Sequence, residues 1–205
     1  SWARSKYVKN SGLKRVFYNL QAEQQYLIDT FGTMNGEDSF DQHPLKVFFL
    51  DIETYSPNGF PEPKLTPDPI NVITIYDSIK EHFYTWGTGG AFNAPDNVTY
   101  VSCNTESELL QSFIRFWKYD YPDIVSGWNS ESFDLPYIIN RINKILGEDM
   151  ANELSPVKEL YCKVDVVTKF GKREDHWTIK GVSHLDYMNV YKTFTREKRE
   201  KYKLD

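Results

Sequence analysis

Asp51 and Glu53 stand two residues apart at the end of LKVFFLDIET, whose apolar run from Val47 to Leu50 reads as a β-strand. Strand side chains alternate between faces, so both carboxylates project to one side and Ile52 to the other. Two like charges beside a buried strand are costly unless a cation neutralises them, and hard oxygen donors suit Mg2+ or Mn2+. The same D-x-E pattern is also common where a strand simply ends in solvent. A second group lies in GWNSESFDLPY, where Asn129, Phe133 and Asp134 occupy the turn between a strand ending at Trp128 and a helix beginning near Leu135. Asp134 suits the N-cap of that helix, a role worth about 1 kcal/mol. It suits equally a third carboxylate bridging two metal ions held by the first pair.

These residues need a scaffold, and the flanking sequence predicts one. The unbroken apolar run Val47 to Leu50 is of the kind found in strands buried on both faces. SPNGFPEPKLTPDP carries five prolines and one glycine in fourteen residues, which excludes helix and predicts an extended loop. INVITIYDSI and EHFYTWG read as two strands around a turn near Ser78 to Glu81, and VTYVSC as a third short one. Thr105 and Glu108 form a capping-box pattern that starts an amphipathic helix over Glu106 to Tyr119. DIVSGW then predicts a buried strand. LPYIINRINKILG predicts a helix with Pro136 tolerated in its first turn and Gly147 ending it. Downstream, VDVVTKF and HWTIKGV flank Gly171 as a β-hairpin, and VSHLDYMNVYKTF starts another helix. Ahead of all this, an irregular lead to about Asn10 precedes a short helix over Val16 to Phe31 and a polar, turn-rich stretch from Gly32 to Pro44. Mixed α/β is the class these elements imply.

Length and composition bound the reading. At 205 residues the chain suits one domain, or one with a small appended subdomain, and 40 % apolar against 26 % charged residues excludes disorder. No apolar run approaches the roughly 18 to 20 residues of a membrane span, and no signal-peptide stretch follows the basic N-terminus, so a cytoplasmic location and no membrane partner are expected. Cys103 and Cys162 lack the spacing of a zinc site or disulfide framework and read as buried free thiols. The net charge of −5 is unevenly spread: residues 1–157 hold 12 Lys/Arg against 21 Asp/Glu, and residues 158–205 hold 12 against 8. The C-terminal quarter is therefore the candidate phosphate-contacting region, although a solvated charged edge would look similar.

Taken together, the ordered blocks resemble a known family. VFFLDIET is similar to the first exonuclease motif, and GWNSESFDLPYIINRI to the second, of the proofreading domain in family B DNA polymerases. The likeness is to the T-even-like phage type and runs from about Lys46 to the C-terminus, through DIETYSPNGFPEP, INVITIYDSI, Ser155–Pro156 and GVSHLDYMNVYKTF. It implies an RNase H-like mixed sheet flanked by helices with an inserted β-hairpin. The exonuclease domain would then occupy residues 46–205, with residues 1–45 part of an N-terminal segment or domain. It also implies 3′→5′ hydrolysis of the terminal nucleotide of a single-stranded DNA primer end, with two divalent metal ions, Mg2+ or Mn2+, held by Asp51, Glu53 and Asp134 as catalytic ligands.

The resemblance further implies that Asn129, Phe133 and Thr54 bind the strand, and that Phe60 stacks on the terminal base. A large apolar side chain on a Pro/Gly-rich loop has little core to join, which agrees, although packing over the sheet is the alternative. Lys169, Lys172 and Arg173 fall near the tip of a hairpin expected to touch DNA, where charge also serves solubility. Expected partners are the remainder of a polymerase chain and, through regions outside this sequence, a replisome sliding clamp. The family's third motif, Y-x3-D, is placed beyond Asp205. The one bare match, Tyr161 to Asp165, lies on a predicted strand and is taken as coincidence. The domain is thus expected to be truncated and weakly active, the alternative being an inactive nucleic-acid-binding module of the same fold.

Overall fold

The computed structural model describes residues 22–32, 44–57, 59–167, 173–195 and 202. The chain divides into two compact units, residues 1–43 and 44–205. In the first, helix α1 (Ala22–Phe31) covers the C-terminal part of the expected Val16 to Phe31 helix, and residues 16–21 lie outside the described residues.

The second unit is built on a six-stranded mixed sheet. β1 (Val47–Thr54), β2 (Ile70–Asp77) and β3 (His82–Gly87) form an antiparallel meander, and β4 (Val98–Ser102) joins β3 in parallel. On the other edge of β1 lie β5 (Ile124–Gly127) and then β8 (Ser183–Asp186), both parallel, giving the order β4-β3-β2-β1-β5-β8. Helix α2 (Glu106–Tyr119) starts where the capping box predicts: Glu108 N–H donates to Thr105 Oγ1 at 3.2 Å, and Glu108 Oε2 accepts from Asn104 N at 2.8 Å. Helix α3 (Asp134–Leu146) ends at Gly147, whose φ of 91° is one that L side chains rarely adopt. A short helix α4 (Glu148–Asn152) follows, which hydrophobic periodicity did not indicate. β6 (Leu160–Val167) and β7 (Arg173–Ile179) form the expected hairpin as a separate two-stranded sheet, and α5 (Tyr187–Phe194) follows β8.

One core joins Phe48, Leu50 and Ile52 of β1 to Ile73 and Ile75 of β2, to Leu109, Phe113 and Trp117 of α2, and to Ile138, Ile139 and Ile142 of α3. β1 is therefore buried on one face. Phe49 points the other way, rests against Tyr76 at 6.2 Å and stays 42 % exposed. The apolar run suggested burial on both faces because Phe49 interrupts the alternation, but Asp51 and Glu53 restore it at the end of the strand. VSHLDYMNVYKTF also departs from expectation, since Ser183–Asp186 pairs with β5 before the helix begins. Four residues of strand leave no periodic signal, and only the long-range pairing defines them. Cys103 is buried as a free thiol, whereas Cys162 on the hairpin is half-buried.

Candidate active site

The end of β1 opens into a cleft of about 620 Å³. Because β5 pairs with β1 only over Val47 to Phe49, the edge of β1 beyond that point is unpaired on this side, and the turn after β5 crosses it. Gly127 permits the crossing: a Cβ there would stand 2.6 Å from Leu50 O and 2.8 Å from Ser130 Cβ. Asp134 then uses the exposed edge, its Oδ1 accepting from Ile52 N at 3.2 Å. Phe133 occupies the N-cap position of α3 without a capping side chain, so Asp134 is the first helical residue rather than the cap. Its carboxyl is aimed at the strand that carries Asp51 and Glu53.

Asp51, Glu53, Thr54, Phe60, Asn129, Phe133 and Asp134 all line this cleft. Asp134 is 4 % exposed, and burial, then the charge of Asp51 and more weakly that of Asp186, push its carboxyl up to about 7, while the Ile52 N–H works in the opposite sense. Burial pushes Asp51 upward as well. Asp134 is thus a buried carboxyl that faces the charge of Asp51, a pair that a nearby cation would stabilise. Among the described residues no group of three His, Cys, Asp or Glu side chains is arranged so as to hold a metal ion. The donor set fits a hard divalent ion in chemistry, and water or substrate oxygens would have to complete its coordination.

Phe60 sits on the loop between β1 and β2, 79 % exposed, with its ring 4.5 Å from that of Phe133, which in turn lies 5.4 Å from Tyr137. It is not a core residue. Asn129 has φ 63°, a left-handed conformation that asparagine tolerates better than most residues, and its carbonyl accepts from Ser132 N and Phe133 N at 3.2 and 3.1 Å. Thr54 Oγ1 lies 2.9 Å from Ser56 Oγ. Of the hairpin residues, Lys169 and Lys172 lie outside the described residues, and Arg173 is described only as a backbone partner of Val167.

Sequence reasoning missed the support beneath the turn and the far wall of the cleft. Ser130 is fully buried and lies 3.0 Å from Nε2 of His184, and burial pushes that imidazole down to about 4. Asp186 accepts from Glu131 N at 3.0 Å and caps α5 through Asn189 N at 3.2 Å. Trp128, Met188 and Tyr202 complete the cleft, with the Trp128 indole donating to Tyr202 O at 3.0 Å and packing on Tyr187 and Tyr191. The alternation of His184 and Asp186 in SHLD was the available signal, and it becomes legible only once β8 is known to be a strand.

Residues 21–205 match the family described as DNA polymerase family B, exonuclease domain. The DNA-directed DNA polymerase of Escherichia phage RB69 is 38 % identical over 205 aligned positions, covering 88 % of this chain and 22 % of the relative. That of Enterobacteria phage T4 is 32 % identical over 194 positions, covering 82 % and 21 %. The DNA polymerase catalytic subunit of human herpesvirus 7 (strain JI) is 32 % identical over 181 positions, covering 82 % and 17 %. The chain spans about a fifth of the length of these relatives. A mixed sheet flanked by helices accords with the RNase H-like fold expected of such a domain.

Proposed function

Since the chain belongs to the exonuclease-domain family of the family B DNA polymerases, we propose that its cleft is a 3′→5′ exodeoxyribonuclease site removing the terminal nucleotide of a DNA primer strand. The observation that carries this reading is that three carboxylates and the paired rings of exposed Phe60 and half-buried Phe133 line the same cleft. The carboxylates supply the hard ligands that hydrolysis of a phosphodiester requires, and the rings supply a surface for a base of any sequence.

Asp51, Glu53 and Asp134 are proposed as the ligands of two divalent ions, Mg2+ or Mn2+, with the raised Asp134 carboxyl the group that gains most from them. When bound, such ions activate the attacking water and stabilise the leaving 3′ oxygen. Phe60 and Phe133 stack the terminal base, and Asn129 offers its amide to the strand from the left-handed corner of the turn. The Thr54 hydroxyl lies at the strand exit beside Ser56. Residues 46–205 are taken as this domain, and residues 1–45 as an N-terminal segment. DNA, the rest of a polymerase chain and a sliding clamp are proposed as partners, and the cytoplasm as location. No helix among the described residues is long and apolar enough to cross a membrane.

A second reading, a nucleic-acid-binding module of the same fold that does not cut, is favoured by the absence of a three-donor metal arrangement among the described residues. Digestion of a labelled single-stranded oligodeoxynucleotide in Mn2+ separates the two. Stepwise release of mononucleotides, abolished in Asp51→Ala/Glu53→Ala, supports the nuclease. Binding without release supports the module.

A further inference from the structure

Helix α3 presents Asp134 in its first turn, and its later turns grip the backbone of the loop that carries Phe60. Tyr137 OH donates to Asp68 O at 2.7 Å, and Asn140 Nδ2 donates to Pro63 O at 2.9 Å. Arg141 Nη1 and Lys144 Nζ both donate to Thr66 O, at 3.0 and 2.9 Å. Positions 137, 140, 141 and 144 recur at three- and four-residue spacing, so one face of the helix serves the loop.

The gripped segment holds a strained residue. Leu65 N and Thr66 N both donate to Glu62 O, and Thr66 has φ 39°, a region that a β-branched residue rarely adopts. Arg141, which meets the carbonyl of that strained residue, is 7 % exposed. It is fixed by Glu106, whose Oε1 and Oε2 accept from Nε and Nη2 at 2.6 Å each. Glu106 Oε1 also accepts from Ile70 N at 2.8 Å, where the loop re-enters the sheet as β2. A planar guanidinium with five donors in a fixed fork imposes direction as well as charge. A buried ion pair adds little net stability over apolar packing, so its position is the more informative property. Arg141 does not line the cleft.

We propose that Arg141, held by Glu106 and assisted by Asn140, is a positioning residue for single-stranded 3′ ends, locking the Glu62–Thr66 turn to the helix that bears Asp134 and so setting where Phe60 stands. This rests on the reading of Phe60 as a stacking platform. The distance between platform and carboxylate is then fixed by one rigid element, as a site that measures out one nucleotide requires.

The test is equilibrium binding, in EDTA so that nothing is cut, of a short single-stranded oligodeoxynucleotide with 2-aminopurine at its 3′ end. Fluorescence quenching reports stacking of that base. Arg141→Lys keeps the charge and loses the fork, and Asn140→Ala removes one contact to the loop. Both are measured alone and combined with Phe60→Ala, and circular dichroism checks the fold. Asn140→Ala should bind about twofold to tenfold more weakly with less quenching, the factor one lost hydrogen bond carries, and Arg141→Lys more weakly still. In the Phe60→Ala background neither should have further effect. Wild-type affinity and quenching in both, or the same loss with and without Phe60, would overturn the proposal. Should Arg141→Lys fail to fold, Asn140→Ala decides alone. If Phe60→Ala itself binds like wild type, the platform reading falls and the inference with it.

Discussion

Helix α3 buries two charged residues two turns apart, and the fold treats them in opposite ways. Arg141 is met by both carboxylate oxygens of Glu106 at 2.6 Å and by Thr66 O at 3.0 Å. Asp134, buried to a similar degree, receives only backbone donors, from Ile52 at 3.2 Å and from its own N–H, and faces a second carboxylate. Charge is rarely buried unless it is paired. The completed pair therefore marks a part of the fold that is finished. The uncompensated one is the group that the proposed cation would neutralise, and exposed Phe60 and half-buried Phe133, which line the same cleft, are where the proposed base would stack.

Removing the compensation at Arg141 should have the largest effect. Arg141→Ala leaves Glu106 buried without its cation and should cost about 3 to 5 kcal/mol of stability, read as a lowered urea midpoint. A change below about 1 kcal/mol would mean that Glu106 finds water and that the contrast with Asp134 is smaller than drawn.

Asp134→Asn should act in the opposite direction. A carboxyl moved from 3.8 to about 7 leaves the metal-free chain with stability that is full below about pH 4 and lost as pH rises through 7. The amide keeps the acceptor for Ile52 N and removes the charge. Asp134→Asn should stabilise the metal-free chain at pH 8 by on the order of 4 kcal/mol at most, with the gain vanishing near pH 4, while Mn2+ binding is lost. A destabilised variant at pH 8 would show that Asp134 is a structural anchor instead.

Phe60→Ala should weaken binding of single-stranded 3′ ends by about 1 to 3 kcal/mol and leave the melting temperature nearly unchanged, because the ring is 79 % exposed. Unaltered affinity with a large fall in melting temperature would make it a packing residue. A separate effect, confined to acid pH, concerns His184. Its folded value of about 4 against 6.5 means that stability present above pH 6.5 is lost as pH falls through 4. Acid unfolding should therefore be less steep in a His184→Gln variant that keeps a polar partner for Ser130, and an unchanged acid limb would remove His184 from the account.

The sequence made one half of this contrast legible. Period-two spacing put Asp51 and Glu53 on one face of β1, the end of β5 was read at Trp128, one residue beyond its Gly127 terminus, and the capping box located α2 to the residue. The Arg141–Glu106 pair was silent, because its partners lie 35 residues apart and its purpose is a backbone carbonyl of a loop whose path no periodicity describes. Ser130 and His184 were silent for the same reason: a four-residue parallel strand is defined by its neighbour β5 and not by its own pattern. Where function rests on local chemistry the residues announce it, and where it rests on long-range support they do not.

Whether the buried Asp134 carboxyl takes a divalent cation, as proposed, can be read by following its side-chain carbon by NMR across pH, with and without Mg2+. The carboxyl should titrate near 7 in EDTA and well below that value once Mg2+ is added. Titration near 4 in both conditions, indifferent to the ion, would contradict it.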